Sequence, residues 1–124
     1  MAVYTENDRI TAPAGVDLTG KRYCLVKEDA NNNIVLATAA TDNILGVLDS
    51  EGKLGDSVDV VLINGGGTFK VKLSAAVTAG ASLTATTGGL AVATSTTGNR
   101  VFGKARRAGV ANEVTEYLKS NEKY

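Results

Sequence analysis

The sequence predicts an all-β fold, a small β-barrel or sandwich built from two similar β-units, with an extended N-terminal arm. Three observations carry that reading. Apolar and polar residues alternate at period two in several short runs, 14 glycines in 124 residues separate those runs, and the order of strands and turns in the first half recurs in the second. The single proline, Pro13, lies near the N-terminus, so nothing interrupts the strand pattern downstream.

Residues 1–14 show no sustained periodicity and contain Pro13, which marks them as the arm. The chain then gives Tyr23-Cys24-Leu25-Val26, the turn-rich Asp29 to Asn33, and Ile34-Val35-Leu36-Ala37, a hairpin pattern. A third apolar run, Ile44-Leu45-Gly46-Val47-Leu48, ends in the polar stretch from Asp49 to Gly55. Val58 to Ile63 and Phe69 to Leu73 follow, joined by Asn64-Gly65-Gly66-Gly67-Thr68. Phe69, Val71 and Leu73 fall on one face and Lys70 and Lys72 on the other, so the two runs are expected to pair as a hairpin with one wet side.

The second half starts the pattern again. Asn33 to Ala37 align with Gly89 to Ala93, Asn43 to Val47 with Arg100 to Lys104, and Asp56-Ser57-Val58 with Asn112-Glu113-Val114, while Gly20 can be laid on Gly80 and Tyr23 on Leu83. The single β-domain therefore spans 15–118, with pseudo-repeats at about 15–63 and 69–118, and 119–124 reads as a polar tail. One position breaks the match. Val60 falls opposite Glu116, and this charge is expected to mark 114–118 as an edge strand, where it discourages further pairing.

Composition excludes several classes of function. Thirteen basic and thirteen acidic side chains give a formal net charge of zero, so no long-range field draws nucleic acid, and the small clusters at Lys21-Arg22 and at Lys104, Arg106 and Arg107 read as solvated faces. One cysteine, Cys24, rules out an intramolecular disulfide and sits in a strand-like run as a buried thiol. No segment approaches the roughly 18 apolar residues of a membrane helix, and residues 1–11 carry Glu6, Asp8 and Arg9 in place of the apolar core of a signal peptide.

The absence of histidine removes Ser-His-Asp and Cys-His catalysis together with most catalytic zinc sites, so no enzyme activity, metal or cofactor is expected. Asp49, Glu51, Asp56 and Asp59 are the nearest approach to a carboxylate site, but they lie in or beside a turn, where acidic residues are common. Gly46 to Lys53 has five residues between its glycines, and Leu54 stands where a phosphate loop needs Ser or Thr. Asp29, Asn31 and Asn33 imitate the start of a calcium loop, yet Ile34 replaces its glycine and a hairpin tip accounts for them better.

The order of these segments resembles the head decoration, or capsid cement, proteins of tailed bacteriophages. The residues that carry the likeness are Gly15 to Tyr23, Val26, Asn31 to Ala37, Ile44 to Leu48, Gly55 to Val60, the glycines before Phe69-Lys70-Val71, Ala79-Gly80, Gly89 to Ala93 and Arg100 to Ala105. The likeness covers nearly the whole domain, roughly from Ala12 to Leu118. The resemblance implies a structural protein, made in the bacterial host cytoplasm, that binds the outside of an expanded capsid and bridges major capsid subunits. It further implies a homotrimer on the virion exterior, with neither nucleic acid nor membrane as partner. Ala2 to Thr11 is the segment expected to grip the shell, with Val3, Tyr4 and Ile10 offering apolar contact and Arg9 a charge. The alternative is a carbohydrate- or cell-surface-binding β-module, which the lack of Trp disfavours, because sugars are commonly held on flat rings.

Overall fold

The computed structural model describes residues 8–124. The first half contributes β1 (Arg9–Pro13), β2 (Leu25–Glu28), β3 (Ile34–Leu36), β4 (Gly46–Leu48) and β5 (Ser57–Leu62), and the second β6 (Thr68–Lys72), β7 (Ser82–Thr86), β8 (Leu90–Ala93), β9 (Arg100–Ala105) and β10 (Val114–Lys123). Each half is one five-stranded antiparallel sheet. The orders are β1-β5-β4-β2-β3 and β6-β10-β9-β7-β8, which are the same arrangement written twice. The molecule is thus all-β, with two sheets in a sandwich-like arrangement, as the alternation and glycine spacing predict. Each sheet curls until its first and third strands meet, through parallel bridges between Ala14 and Ile34 and between Leu73 and Ala91. Barrel and sandwich characters therefore coexist.

Pairing registers define the internal repeat more sharply than the sequence does. Gly46 and Gly103 occupy the same place, as predicted, since Gly46 faces Leu62 and Gly103 faces Lys119. Elsewhere the alignment moves. Ala12 pairs with Val58 and the corresponding Val71 pairs with Thr115, so Asp59 matches Glu116 and Val60 matches the buried Tyr117. The apparent clash of Val60 with Glu116 was a one-residue slip. In a strand such a slip exchanges the two faces. Upstream, Tyr23 and not Gly20 is the counterpart of Gly80. Three pairs of positive-φ residues stand at one constant interval, Tyr23 with Gly80, Asn32 with Gly89 and Gly55 with Asn112.

Burial explains why the halves adhere. Leu18, Val26, Ile34, Leu48, Val58 and Val60 fill the inside of the first sheet, with Ile10 and Ala12 of β1 packed against them. The second core joins Val71, Leu73, Leu83, Phe102 and Tyr117 of the second sheet to Leu25 and Val47, which point out of the opposite face of the first. Val47 and Leu48 are both fully buried, so the middle of the first sheet is dry on both sides. Each such aliphatic side chain contributes about 1.5–3 kcal/mol on burial. At the positions equivalent to Leu25 and Val47, the second sheet carries the half-buried Ser82 and the exposed Lys104, and that face stays wet.

Three expectations about connectivity are corrected. β5 and β6 do not form a hairpin: β5 lies between β1 and β4, and β6 pairs with β10, so the glycine segment after Ile63 crosses from one sheet to the other. Turn residues and alternation identify strands but not their partners. β10 is no edge strand, because it lies between β6 and β9, and it continues through residues 119–123, which the sequence reading had assigned to a polar tail. The residue after it is also tied, Gly98 N donating to Tyr124 O at 2.8 Å. Of the arm drawn over 1–14, residues 9–13 are β1, in register with residues 57–61 of β5. β1 is the counterpart of β6, so the first unit begins there and not at Gly15.

Candidate functional site

Of the four residues assigned to the arm, Val3 and Tyr4 lie outside the described residues. Arg9 and Ile10 are neighbours on β1 and, by the alternation of a strand, serve opposite faces. Ile10 packs on the first core and also borders a cleft of about 440 Å³, together with Leu45, Leu62, Ile63, Lys27 and Asn121. Lys27 in that cleft is paired with Asp42 at 3.2 Å. The base of the arm is pinned by Lys119 of β10, whose side chain is 1% exposed and whose Nζ donates to Asp8 Oδ2 at 2.8 Å. That hydrogen bond, with the ammonium charge, holds the Asp8 carboxyl below its usual range.

Arg9 stands on the outward face within a compact cluster. Its Nη1 donates to Asp49 Oδ2, while Arg22 donates from Nε at 3.3 Å and from Nη2 at 3.0 Å to Asp49 Oδ1. The Arg9 guanidinium lies 6.0 Å from the centroid of Phe69, and that of Arg22 lies 4.8 Å from the centroid of Tyr23. The two rings are 5.8 Å apart at a tilt of 49°. β1, the loop before β2, the turn after β4 and β6 thus deliver one side chain or more each, and the cluster spans the junction of the two sheets. Both arginines are about half exposed, whereas the Asp49 side chain is 13% exposed.

Burial alone pulls the Asp49 carboxyl upward, but the hydrogen bonds and charges of Arg9 and Arg22 outweigh it and leave it below the usual carboxylate range. A carboxyl depressed in the folded state stabilises fully above its unfolded value of about 3.9 and loses that contribution as pH falls through the lower folded value. Asp49→Asn should therefore cost about 1 kcal/mol at pH 7, the arginines being half exposed and screened. The difference from the parent chain should shrink as pH falls below the unfolded carboxylate value of about 3.9, which urea unfolding at a series of pH values would show.

The remaining candidates resolve into local structure. Glu51 accepts from Gly20 N at 2.6 Å, Asp56 from Lys53 N at 3.0 Å and Asp59 from Thr11 Oγ1 at 2.7 Å, so the four acids of that turn serve separate partners and do not converge. Asp29 Oδ1 accepts from the backbone of Asn31 at 2.8 Å and of Asn33 at 3.0 Å, which makes the suspected calcium motif the tip of the β2–β3 hairpin. Burial pushes the Cys24 thiol up. Arg106, just past the end of β9, pairs with Glu116 of β10 at 2.9 Å. Among the described residues there is no cluster of three acids or cysteines able to hold a metal, and no helix is long and apolar enough to cross a membrane.

With this geometry established, the chain can be set beside known proteins. It superposes on the N base of the head fiber gp8.5 of bacteriophage phi29 with a TM-score of 0.70, over 94% of this chain and 96% of that one. The two proteins share one fold. At 20% identity, what the two share is the arrangement of strands. The likeness runs through both curled sheets, which is the coverage the resemblance to phage head decoration proteins predicted. No protein-family profile matches the chain, and no curated protein matches it in sequence.

Sequence reasoning reached Arg9 and missed its companions. Asp49 reads as an ordinary turn acid, Phe69 as one residue of a hairpin, and Arg22 as part of a solvated pair. Tyr23 carried the only available signal, an aromatic residue at a position where the other unit has Gly80, and the three-residue misalignment concealed it.

Proposed function

We propose that this chain is a structural protein of a phage virion that attaches to the outer face of the capsid and stabilises the expanded head by bridging neighbouring major capsid subunits. The observation that carries the reading is the match of the whole double-sheet fold to a base that belongs to a phage head fiber. A base of this kind needs a rigid body and an adhesive surface, not a reactive pocket. The dry, double-sided first sheet supplies the rigidity. The N-terminal segment, with Val3 and Tyr4, leaves β1 from a point fixed by the Asp8–Lys119 pair and provides apolar grip on the shell. In a homotrimer three such segments would act together and raise avidity by about 10²-fold or more without new contacts.

The decisive experiment mixes the protein with undecorated, expanded heads of its cognate phage and images the particles. Stoichiometric density at fixed lattice positions supports the role, and bare capsids reject it. Removing residues 2–7 should reduce attachment at least tenfold and shift the thermal midpoint by no more than about 2 °C, because β1 and its ladder are kept. Removing residues 2–11 should lower the midpoint as well, because it deletes most of an edge of the first sheet.

A further inference from the structure

We infer that the Arg9–Asp49–Arg22 cluster with its Tyr23 and Phe69 rings is a docking platform for an acidic segment of a partner protein. Within the proposed role, on which this rests, that partner is a shell subunit. The internal repeat supplies the first argument. Tyr23 has φ of 72°, a left-handed conformation that is rare and strained for a bulky side chain, and at the same place the second unit has Gly80 with φ of 86°. The turn itself therefore needs only glycine. The first unit keeps a tyrosine there despite the strain, and what the ring gains is contact with Arg22 and Phe69. Backbone strain retained against an available relief is a mark of a functional position.

Unspent hydrogen-bonding capacity supplies the second argument. Two guanidinium groups share one carboxylate, and Asp8 and Asp59 also act on Arg9, so the charge left over lies on the Arg22 side of the cluster. Asp49 engages Nη1 of Arg9 and Nε and Nη2 of Arg22, and the other guanidinium nitrogens have no partner among the described residues. The rings and Asp49 hold both planes in place, so a visiting carboxylate meets donors that have already lost their rotamer freedom. Arginine and tyrosine over a half-buried aromatic base are also the composition of interface hot spots.

A carboxylate-bearing protein fits this platform better than nucleic acid does. Asp8, just before β1, and Asp59 on β5 flank Arg9, their charges acting on it, and the formal charge of the whole chain is zero. A single acidic side chain can enter between those acids, whereas a polyphosphate would meet them along its length.

The test uses Arg22→Gln, which leaves Asp49 paired with Arg9 and the fold intact. Measured against undecorated heads, it should weaken binding about tenfold, flatten the dependence of affinity on salt and lower the melting temperature by no more than about 3 °C, since Arg9 still pairs with Asp49. Arg22→Lys should fail to restore affinity, since an ammonium cannot reproduce the planar fork. Arg107→Gln, in the other basic cluster, should bind as the parent does. If the parent chain binds heads and Arg22→Gln binds them equally well, the platform is overturned while the capsid role stands. If the parent chain does not bind heads, both fall. Competition of head binding by single-stranded oligonucleotides at concentrations where a glutamate-rich peptide has no effect would overturn the assignment to an acidic protein.

Discussion

Replacing Gly46 with alanine should destabilise the domain by about 3 kcal/mol or more, a large part of the 5–15 kcal/mol that holds a domain of this kind together. The reason is space, not backbone conformation. A Cβ at Gly46 would lie 2.1 Å from the carbonyl oxygen of Val61 and 2.8 Å from its carbon, both atoms of the neighbouring strand β5. Backbone in a paired strand cannot rotate away as a side chain can, so β4 and β5 would have to separate at the centre of the first sheet. The same constraint recurs in the second unit, where a Cβ at Gly103 would lie 2.5 Å from Leu118 O. Gly66→Ala is the control. Nothing lies within 4 Å of its Cβ, and the change should stay within about 0.5 kcal/mol. Urea unfolding followed by circular dichroism measures all three, and a neutral Gly46→Ala would refute the pairing of β4 with β5.

The second large effect is expected at Tyr117, where truncation to alanine should cost about 3–5 kcal/mol. Its ring is fully buried and meets Phe102 edge-on, the centroids 5.0 Å apart at 79°. Tyr117→Phe should behave oppositely. The Tyr117 hydroxyl is buried without a hydrogen-bond partner among the described residues, and burial pushes its pKa well up, so the group contributes cost without compensation. Removing that oxygen and keeping the ring should leave stability unchanged or raise it by about 1 kcal/mol. The pair of variants separates ring from hydroxyl. A marked loss in Tyr117→Phe would show that the hydroxyl holds an ordered water.

Only one of these two sites is legible before the units are aligned in space. Gly46 and Gly103 could be matched from sequence because glycine in an apolar run is conspicuous, and both fall where strand meets strand at close quarters. Tyr117 could not. Sequence alignment placed it one residue out of register and moved a charge into the core, because alternation alone cannot tell a strand from the same strand shifted by one. The candidate platform divides in the same way: Arg9 was visible as a charge on a segment assigned to binding, but Asp49, 40 positions away, was not. Sequence distance carries no information about which loop the curl of a sheet returns to β1.

What the linear sequence determined was the class of the fold and its doubling, since small aliphatic residues at period two, cut at intervals by glycine, bury area only as short twisted strands in layers. What it left open was which strand lies beside which. The crossing of the glycine segment between sheets, the recruitment of β1 from the supposed arm and the central place of β10 depend on burying both faces of the first sheet at once. That requirement is met by the assembled molecule as a whole and is written in no single stretch of it.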